Sequence, residues 1–209
     1  MANSAVQILA YVLCFGGLCG LLVSTCMTDW KSSEHGNGET TTSVDSEGLW
    51  MRCSSGSGTQ ITCTPFPSIL NLPTKIKVCR GLMITSIILC CLAALLTIPG
   101  LKCTKCLDES EQLKSKTAIT GGVLFILGGL CALGLISWFA YNVAAEFKST
   151  TTGLIRYTFG DALYVGGAAA LVSIIGGALM CISSKPGKHF RSHVEKPSQK
   201  SQNQATAYV

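Results

Sequence analysis

The sequence predicts an α+β membrane protein, in which a left-handed four-helix transmembrane bundle carries a small antiparallel extracellular β-sheet. Three observations lead to this fold class. Only 13% of the 209 residues are charged, the mean hydropathy is +0.43, and the charges fall almost entirely outside four apolar runs. A soluble domain of this length would interleave charged with apolar residues at the period of a helix or a strand. Because that interleaving is absent, we expect the four runs to cross a membrane.

The four apolar runs are expected to form the transmembrane helices. A span needs about 20 apolar residues, and the predicted spans cover residues 7–28, 81–101, 117–145 and 162–184. A cleaved signal peptide is the alternative for the first run, but no Lys or Arg precedes it and it is longer than the apolar region of such peptides. The third span would be about 43 Å long, against a hydrocarbon core of about 30 Å. Its helix is therefore expected to continue outside the membrane, past Trp138 and Tyr141.

Clusters of basic residues after the second and fourth runs predict the orientation of the chain. The net charge of +5 is concentrated in the connector 102–116 and the tail 185–209. The positive-inside rule expects this of cytoplasmic segments, so a nucleic-acid partner is not expected. Both termini are therefore predicted to be cytoplasmic, with a disordered tail and extracellular loops at 29–80 and 146–161. The middle of each span lacks ionisable residues, so an ion pathway inside one subunit is not expected.

The large loop carries the signals of a small sheet. Segments rich in β-forming residues predict strands at 40–44, 49–53 and 60–63, separated by turn signals at 36–38 and 54–58. An antiparallel meander fits this order. After Pro67, Ser68 can cap a short helix that includes Ile69.

The twelve cysteines do not indicate a disulfide scaffold, because many lie inside apolar runs, where cysteine behaves as a small hydrophobe. Cys53, Cys63 and Cys79 belong to the large loop and its exit, so one disulfide is the natural number.

Cys103 and Cys106 form a C-x-x-C in the connector. A redox pair or half of a zinc site is an alternative there, but no second cysteine pair or local His completes a zinc site. Palmitoylation next to the membrane is the favoured interpretation for these two and for Cys181.

The motif residues of the large loop, in this order and topology, resemble the signature of the claudin family: Trp30, Gly48-Leu49-Trp50, Cys53, Cys63 and Arg80. The resemblance extends along nearly the whole chain and implies that residues 1–184 form one four-span domain. It implies an extracellular disulfide between Cys53 and Cys63. It also implies a structural protein at tight junctions of the plasma membrane, without catalytic site, metal or cofactor.

The resemblance further implies that subunits polymerise side by side into strands, which seal the paracellular space or gate it for ions. The positions that match the family's lateral contact are Ile69 for an apolar knob, with Phe147 and Phe159 for its pocket. Lys148 stands where many claudins have a second aromatic residue, which weakens the expected contact between cells. The charge-selecting positions match Gly56 and Thr64, which are uncharged, and Arg52 is the best basic candidate. Since the loop's charges balance, a barrier is favoured over a channel.

The implied partners are claudins in the same and in opposing membranes, membrane lipid, and PDZ scaffolds of the zonula-occludens type. PDZ domains bind a free C-terminus as an added strand, and Ala207-Tyr208-Val209 would supply it. Two other functions stay open at this point. One is a four-span adaptor or auxiliary channel subunit, and the other is a membrane thiol oxidoreductase that uses Cys103 and Cys106, although four-span enzymes of that type act on the lumenal face.

Overall fold

Four long helices and one antiparallel sheet make up the described part of the chain. The structure is a computed structural model that describes residues 2–37, 41–55, 60–66, 72–100, 111–149 and 155–184. The helices are α1 (Ala2–Cys26), α2 (Thr74–Gly100), α3 (Glu111–Ser149) and α4 (Asp161–Ser183). The strands are β1 (Lys31–Asn37), β2 (Thr41–Glu47), β3 (Met51–Ser55), β4 (Ile61–Pro65) and β5 (Ile155–Phe159). This confirms the predicted combination of a helical bundle with a small antiparallel sheet.

All four helices are long and apolar enough to cross a membrane, and two of them extend well beyond the apolar runs. Helix α2 begins at Thr74, where the amides of Ile76 and Lys77 donate to the carbonyl of Pro73 at 3.0 and 3.3 Å. Helix α3 has 39 residues and continues past Tyr141 to Ser149. The two extensions bring charged residues of α2 and α3 to the level of the sheet.

Small residues let the helices approach closely inside the subunit. Helix α1 packs mainly on α4, α2 on α3, and α3 on α4. A Cβ atom on Gly176 of α4 would lie 2.7 Å from the Sγ of Cys14 on α1, and one on Gly128 of α3 would lie 2.6 Å from the Sγ of Cys90 on α2. Both distances are shorter than van der Waals contact. These two glycines therefore serve close packing between helices of one subunit.

The sheet has five strands in the order β4-β3-β2-β1-β5, and every neighbouring pair is antiparallel. The predicted meander corresponds to β2, β3 and β4. Strand β1 was not predicted, because Lys31–Asn37 contains no β-branched or aromatic residue, and its two last residues had been assigned to a turn. Strand β5 was also missed, since it comes from the second predicted loop and joins the edge next to β1.

The start of the third predicted strand segment needs a correction as well. Residues 48–50 form an irregular bend, and β3 begins only at Met51. The predicted short helix after Pro67 lies in residues 67–71, outside the described residues. The same holds for residues 101–110 of the connector and for the whole tail from 185 onwards.

Candidate functional site

Trp30 attaches the sheet to the bundle immediately before β1. Its side chain is 1% exposed, and its indole Nε1–H donates to the carbonyl of Ser24 on α1 at 3.0 Å. The ring makes an edge-to-face contact with Phe139 on α3, with centroids 5.6 Å apart. The backbone amide of Trp30 also donates to the carbonyl of Glu47 at 3.2 Å. One residue therefore connects α1, α3 and the first two strands, and its buried N–H is satisfied.

The bend Gly48-Leu49-Trp50 makes the second attachment. A Cβ atom on Gly48 would lie 2.8 Å from the Cα of Thr28 and 2.9 Å from its carbonyl oxygen. Only glycine lets the two backbones approach this closely. Leu49 is 3% exposed and belongs to the main apolar core. The indole of Trp50 donates to the carbonyl of Thr25 at 3.0 Å, one residue after the acceptor used by Trp30.

Arg80 secures the bend from the side of α2. Its Nε–H donates to the carbonyl of Leu49 at 2.6 Å. Its guanidinium carbon lies 4.9 Å from the ring centroid of Trp50 and 5.5 Å from that of Phe66. Cation–π contacts of this kind contribute about 0.5–1 kcal/mol at exposed sites. Trp30, the bend Gly48-Leu49-Trp50 and Arg80 thus form one assembly, which holds the sheet on the ends of three helices.

An ionic contact joins the sheet to both helix extensions. The carboxylate of Glu146 on α3 accepts from Lys31 on β1 and, at 2.9 Å, from Lys75 in the first turn of α2. The side chain of Lys31 is only 16% exposed, whereas that of Lys75 is 53% exposed. We call Lys31, Lys75 and Glu146 the ionic clamp. It fixes the end of α3 relative to the first strand.

We call the face of the sheet that carries Lys31 and Arg52 the polar face; the opposite face also carries polar residues, among them Ser32, Ser46 and Ser55. Residues directly opposite each other on neighbouring strands share a face, and the register aligns five such residues in a row next to the bundle: Phe159, Lys31, Glu47, Arg52 and Thr64. We call this set the charged row. The next row on the same face contains Ser33, Asp45, Ser54 and Thr62. The face is therefore suited to contact with water.

Within the charged row, Arg52 and Glu47 form an ion pair. The Nη2 atom of Arg52 lies 2.9 Å from Oε1 of Glu47, and the side chains are 56% and 25% exposed. The pair stands beside a cavity of about 250 Å³ between the row and the two helix extensions, lined also by Trp138, Phe139 and Val143. Sequence reasoning proposed Arg52 but missed Glu47, although a reversal of the chain at Gly48 would have placed the two on adjacent strands.

The Cys53–Cys63 disulfide is present and lies on the opposite face of the sheet. The two residues are directly opposite each other on β3 and β4, next in sequence to Arg52 and Thr64. The bridge therefore pins the register that aligns the charged row. Cys79 is not disulfide-bonded and is buried in the apolar core.

Comparison with known proteins identifies the family. A family model described as the PMP-22/EMP/MP20/Claudin family matches residues 4–180. Mouse claudin-19 is 42% identical over 183 residues, which cover 87% of this chain and 82% of that protein. The chain belongs to the claudin family. Rat claudin-1 is 38% identical over 185 residues, or 88% of each protein, and rat claudin-7 is 34% identical over 212 aligned positions that span both proteins completely.

Family membership confirms the resemblance seen in the sequence. This claudin is a multi-pass membrane protein of tight junctions, it associates with other claudins, and it is a structural junction protein rather than an enzyme. The thiol oxidoreductase alternative is therefore rejected.

The positions expected to act in assembly and anchoring of this claudin are only partly described. Phe159 ends β5, is 42% exposed and lies opposite Lys31 in the charged row. Ile69, Gly56, Cys103, Cys106 and the terminal residues 207–209 lie outside the described residues, as does the side chain of Phe147. Cys181 is in the last turn of α4, with its Sγ 3.7 Å from the carbonyl of Ile119. The lateral-contact, PDZ and palmitoylation assignments stay predictions.

Proposed function

We propose that this claudin polymerises side by side into tight-junction strands and that the strands restrict paracellular passage, acting as a barrier with little preference between cations and anions. The observation that carries the proposal is the charge balance of the polar face. The described charges of this face and of the ionic clamp beside it balance: Lys31, Arg52 and Lys75 against Asp45, Glu47 and Glu146. Selectivity needs a fixed net charge close to the path of the ion, and this balance provides none.

The way the sheet is held supports a barrier. Trp30, Trp50 and Arg80 attach it to three helices, and the ionic clamp fixes the end of α3 beside it. A paracellular seal needs a surface with a fixed shape, because water and ions pass wherever neighbouring subunits fit poorly. A sheet with several buried attachments satisfies that need better than a mobile loop.

Three further parts of the proposal concern assembly and orientation. Both termini face the cytoplasm, where Ala207-Tyr208-Val209 binds a PDZ scaffold of the zonula-occludens type. Lateral contact uses Ile69 of one subunit and Phe147 with Phe159 of the next. Palmitoylation of connector cysteines adds a lipid anchor, with about 0.8 kcal/mol of membrane affinity per buried CH₂ group.

Expression in cells that lack tight-junction strands tests the proposal. Freeze-fracture electron microscopy should show continuous strands at cell contacts. In an epithelial monolayer, transepithelial resistance should rise, and dilution potentials should give similar Na⁺ and Cl⁻ permeabilities. Particles without strands would favour a four-span adaptor or auxiliary channel subunit, while a fall in resistance with strong ion preference would favour a channel. The variant Ile69→Arg should reach the cell surface and form shorter strands.

A further inference from the structure

The cavity between the sheet and the two helix extensions has an apolar part and a charged part. Its volume is about 250 Å³. Leu49 of the bend, Ile76 of α2 and Val143 of α3 line it and are 3%, 8% and 5% exposed; we call these three residues the floor. The floor is buried, whereas the charged residues of the lining reach water. We call these charged residues the rim: Lys31, Glu47, Arg52, Lys75 and Glu146.

The helix extensions arrange the apolar and charged parts along one axis. Lys75, in the first turn of α2, contacts Glu146 near the end of α3, so the two packed helices run antiparallel here. Trp138 and Phe139, about two turns before Glu146, also line the cavity, as does Cys79, about one turn after Lys75. The cavity wall therefore changes over about 12 Å from apolar and aromatic side chains to charged ones.

The rim has an excess of positive charge. Among the described residues that line the cavity, three are cations and two are carboxylates. Arg52 is paired with Glu47, whereas the single carboxylate of Glu146 accepts from both Lys31 and Lys75. The excess therefore lies at the two lysines, of which Lys75 is 53% exposed. An ammonium group has three donors, and the contact with Glu146 uses one of them. A further anionic group can therefore be bound there.

We propose that this cavity binds a medium-chain fatty acid, with its alkyl chain on the floor and its carboxylate at Lys75. A methylene group is similar in size to a water molecule, which occupies about 30 Å³ in the liquid, so about eight chain groups fill the cavity. A carboxylate matches the excess charge of the rim, whereas a quaternary ammonium head would be repelled by it. The proposal goes beyond the barrier function and does not depend on strand formation.

Chain length and head group should both control the affinity. Each methylene group buried on the floor should tighten binding about fourfold. This gain should stop at about eight carbons, because the cavity is then full. Partition into a bilayer has a similar gain per methylene group without that limit, so the limit distinguishes the two processes. The exposed contact with Lys75 should favour the carboxylate over an alcohol of equal length by about fivefold.

Tryptophan fluorescence can measure the binding, because Trp30 and Trp138 line the cavity. The full-length protein in lipid nanodiscs is titrated with 8-bromooctanoate, whose bromine atom quenches nearby indoles. The quenching should saturate, and unlabelled octanoate should reverse it. 6-Bromohexanoate should bind about 16-fold more weakly and 8-bromooctanol about fivefold more weakly. 12-Bromododecanoate should bind at most about fourfold more tightly than 8-bromooctanoate, because its additional carbons find no room.

Variants of the rim and of the floor locate the site. Lys75→Gln should weaken the binding of 8-bromooctanoate about fivefold and leave that of 8-bromooctanol unchanged, while Lys75→Arg should bind both as wild type does. Lys77→Gln is the matched control, because it removes the same charge from a residue of α2 that does not line the cavity. Val143→Phe should abolish the saturable quenching, since the added ring occupies the floor, and thermal unfolding shows whether this variant is folded.

Three results would overturn the proposal: quenching of wild type that rises without saturation, equal affinity for the acid and the alcohol, or unchanged affinity in Lys75→Gln. A steady gain per methylene group up to twelve carbons would also overturn it and would indicate a groove for the tails of bilayer lipids. If Val143→Phe does not fold, Ile76→Phe replaces it. Should neither variant fold, the chain-length limit in wild type decides between binding in the cavity and partition into the bilayer.

Discussion

The ionic clamp offers a sharp test of how the sheet is attached to the bundle. In the variant Glu146→Gln, the side chain keeps its size but loses its charge, so both ion pairs are lost. The pair with Lys75 is largely exposed and should contribute about 0.5 kcal/mol. The pair with Lys31 should contribute about 1 kcal/mol, because the ammonium group is mostly buried and a charged hydrogen bond is stronger there.

Together the two losses should lower the free energy of unfolding by about 1.5 kcal/mol. For a protein of this size, 1 kcal/mol shifts the melting temperature by about 2–4 °C, so Glu146→Gln should melt about 3–6 °C below wild type. The assay is thermal unfolding of the purified full-length protein in a mild detergent, followed by intrinsic tryptophan fluorescence. Low ionic strength makes the difference in melting temperature between wild type and Glu146→Gln largest, because salt screens the ion pairs.

Two controls make the test specific. Lys75→Gln removes only the exposed pair, and its melting temperature should fall by about 1–2 °C. Raising the salt concentration to about 1 M should reduce the melting-temperature difference of Lys75→Gln by a larger fraction than that of Glu146→Gln, because exposed pairs are screened more strongly than buried ones. If Glu146→Gln and wild type melt at the same temperature in low salt, the clamp does not hold α3 against the sheet.

Two further predictions concern the bend and the disulfide. Gly48→Ala should lower the free energy of unfolding by about 1–3 kcal/mol, because the added methyl group overlaps the backbone of Thr28. Thermal unfolding should show this loss as a lower melting temperature. The control Gly134→Ala should not be destabilised, because a Cβ atom there meets nothing within 4 Å. Cys53→Ser removes the disulfide that closes a loop with a sequence separation of 10, and it should lower the free energy of unfolding by about 3 kcal/mol. Reductant should lower the melting temperature of wild type but not of Cys53→Ser, and equal sensitivity of both proteins would contradict a stabilising bridge to Cys63.

The helices and the middle of the sheet could be predicted because their signals are local. An uncharged run of sufficient length can satisfy its backbone in a membrane only as a helix, and β-forming residues between Gly- and Ser-rich turns marked β2, β3 and β4. Strand β1 had no such signal. Its polar residues are extended because β2 and β5 provide hydrogen-bonding partners on both sides, which is a property of the tertiary structure rather than of Lys31–Asn37 itself.

The site was less predictable for a similar reason. Arg52 was proposed from its charge, but the sequence does not show which face of β3 it occupies or what lies opposite. A one-residue change of register would move every side chain to the other face. Glu146 is even farther in sequence from its partners Lys31 and Lys75. It lies beside them only because α3 continues beyond the apolar run. All three of these ion pairs depend on backbone paths that are set by residues elsewhere in the chain.

These observations connect the family signature to the charge of the polar face. Trp30 and Trp50 donate to consecutive carbonyls at the end of α1, and Gly48 allows the bend to lie against Thr28. Because the bend is fixed there, the last residue of β2 and the second residue of β3 must face each other. The signature residues therefore determine which two side chains form the pair, whereas the identities of Glu47 and Arg52 determine its net charge. A claudin with the same signature should therefore keep the same register between β2 and β3, whichever residues stand at these two positions.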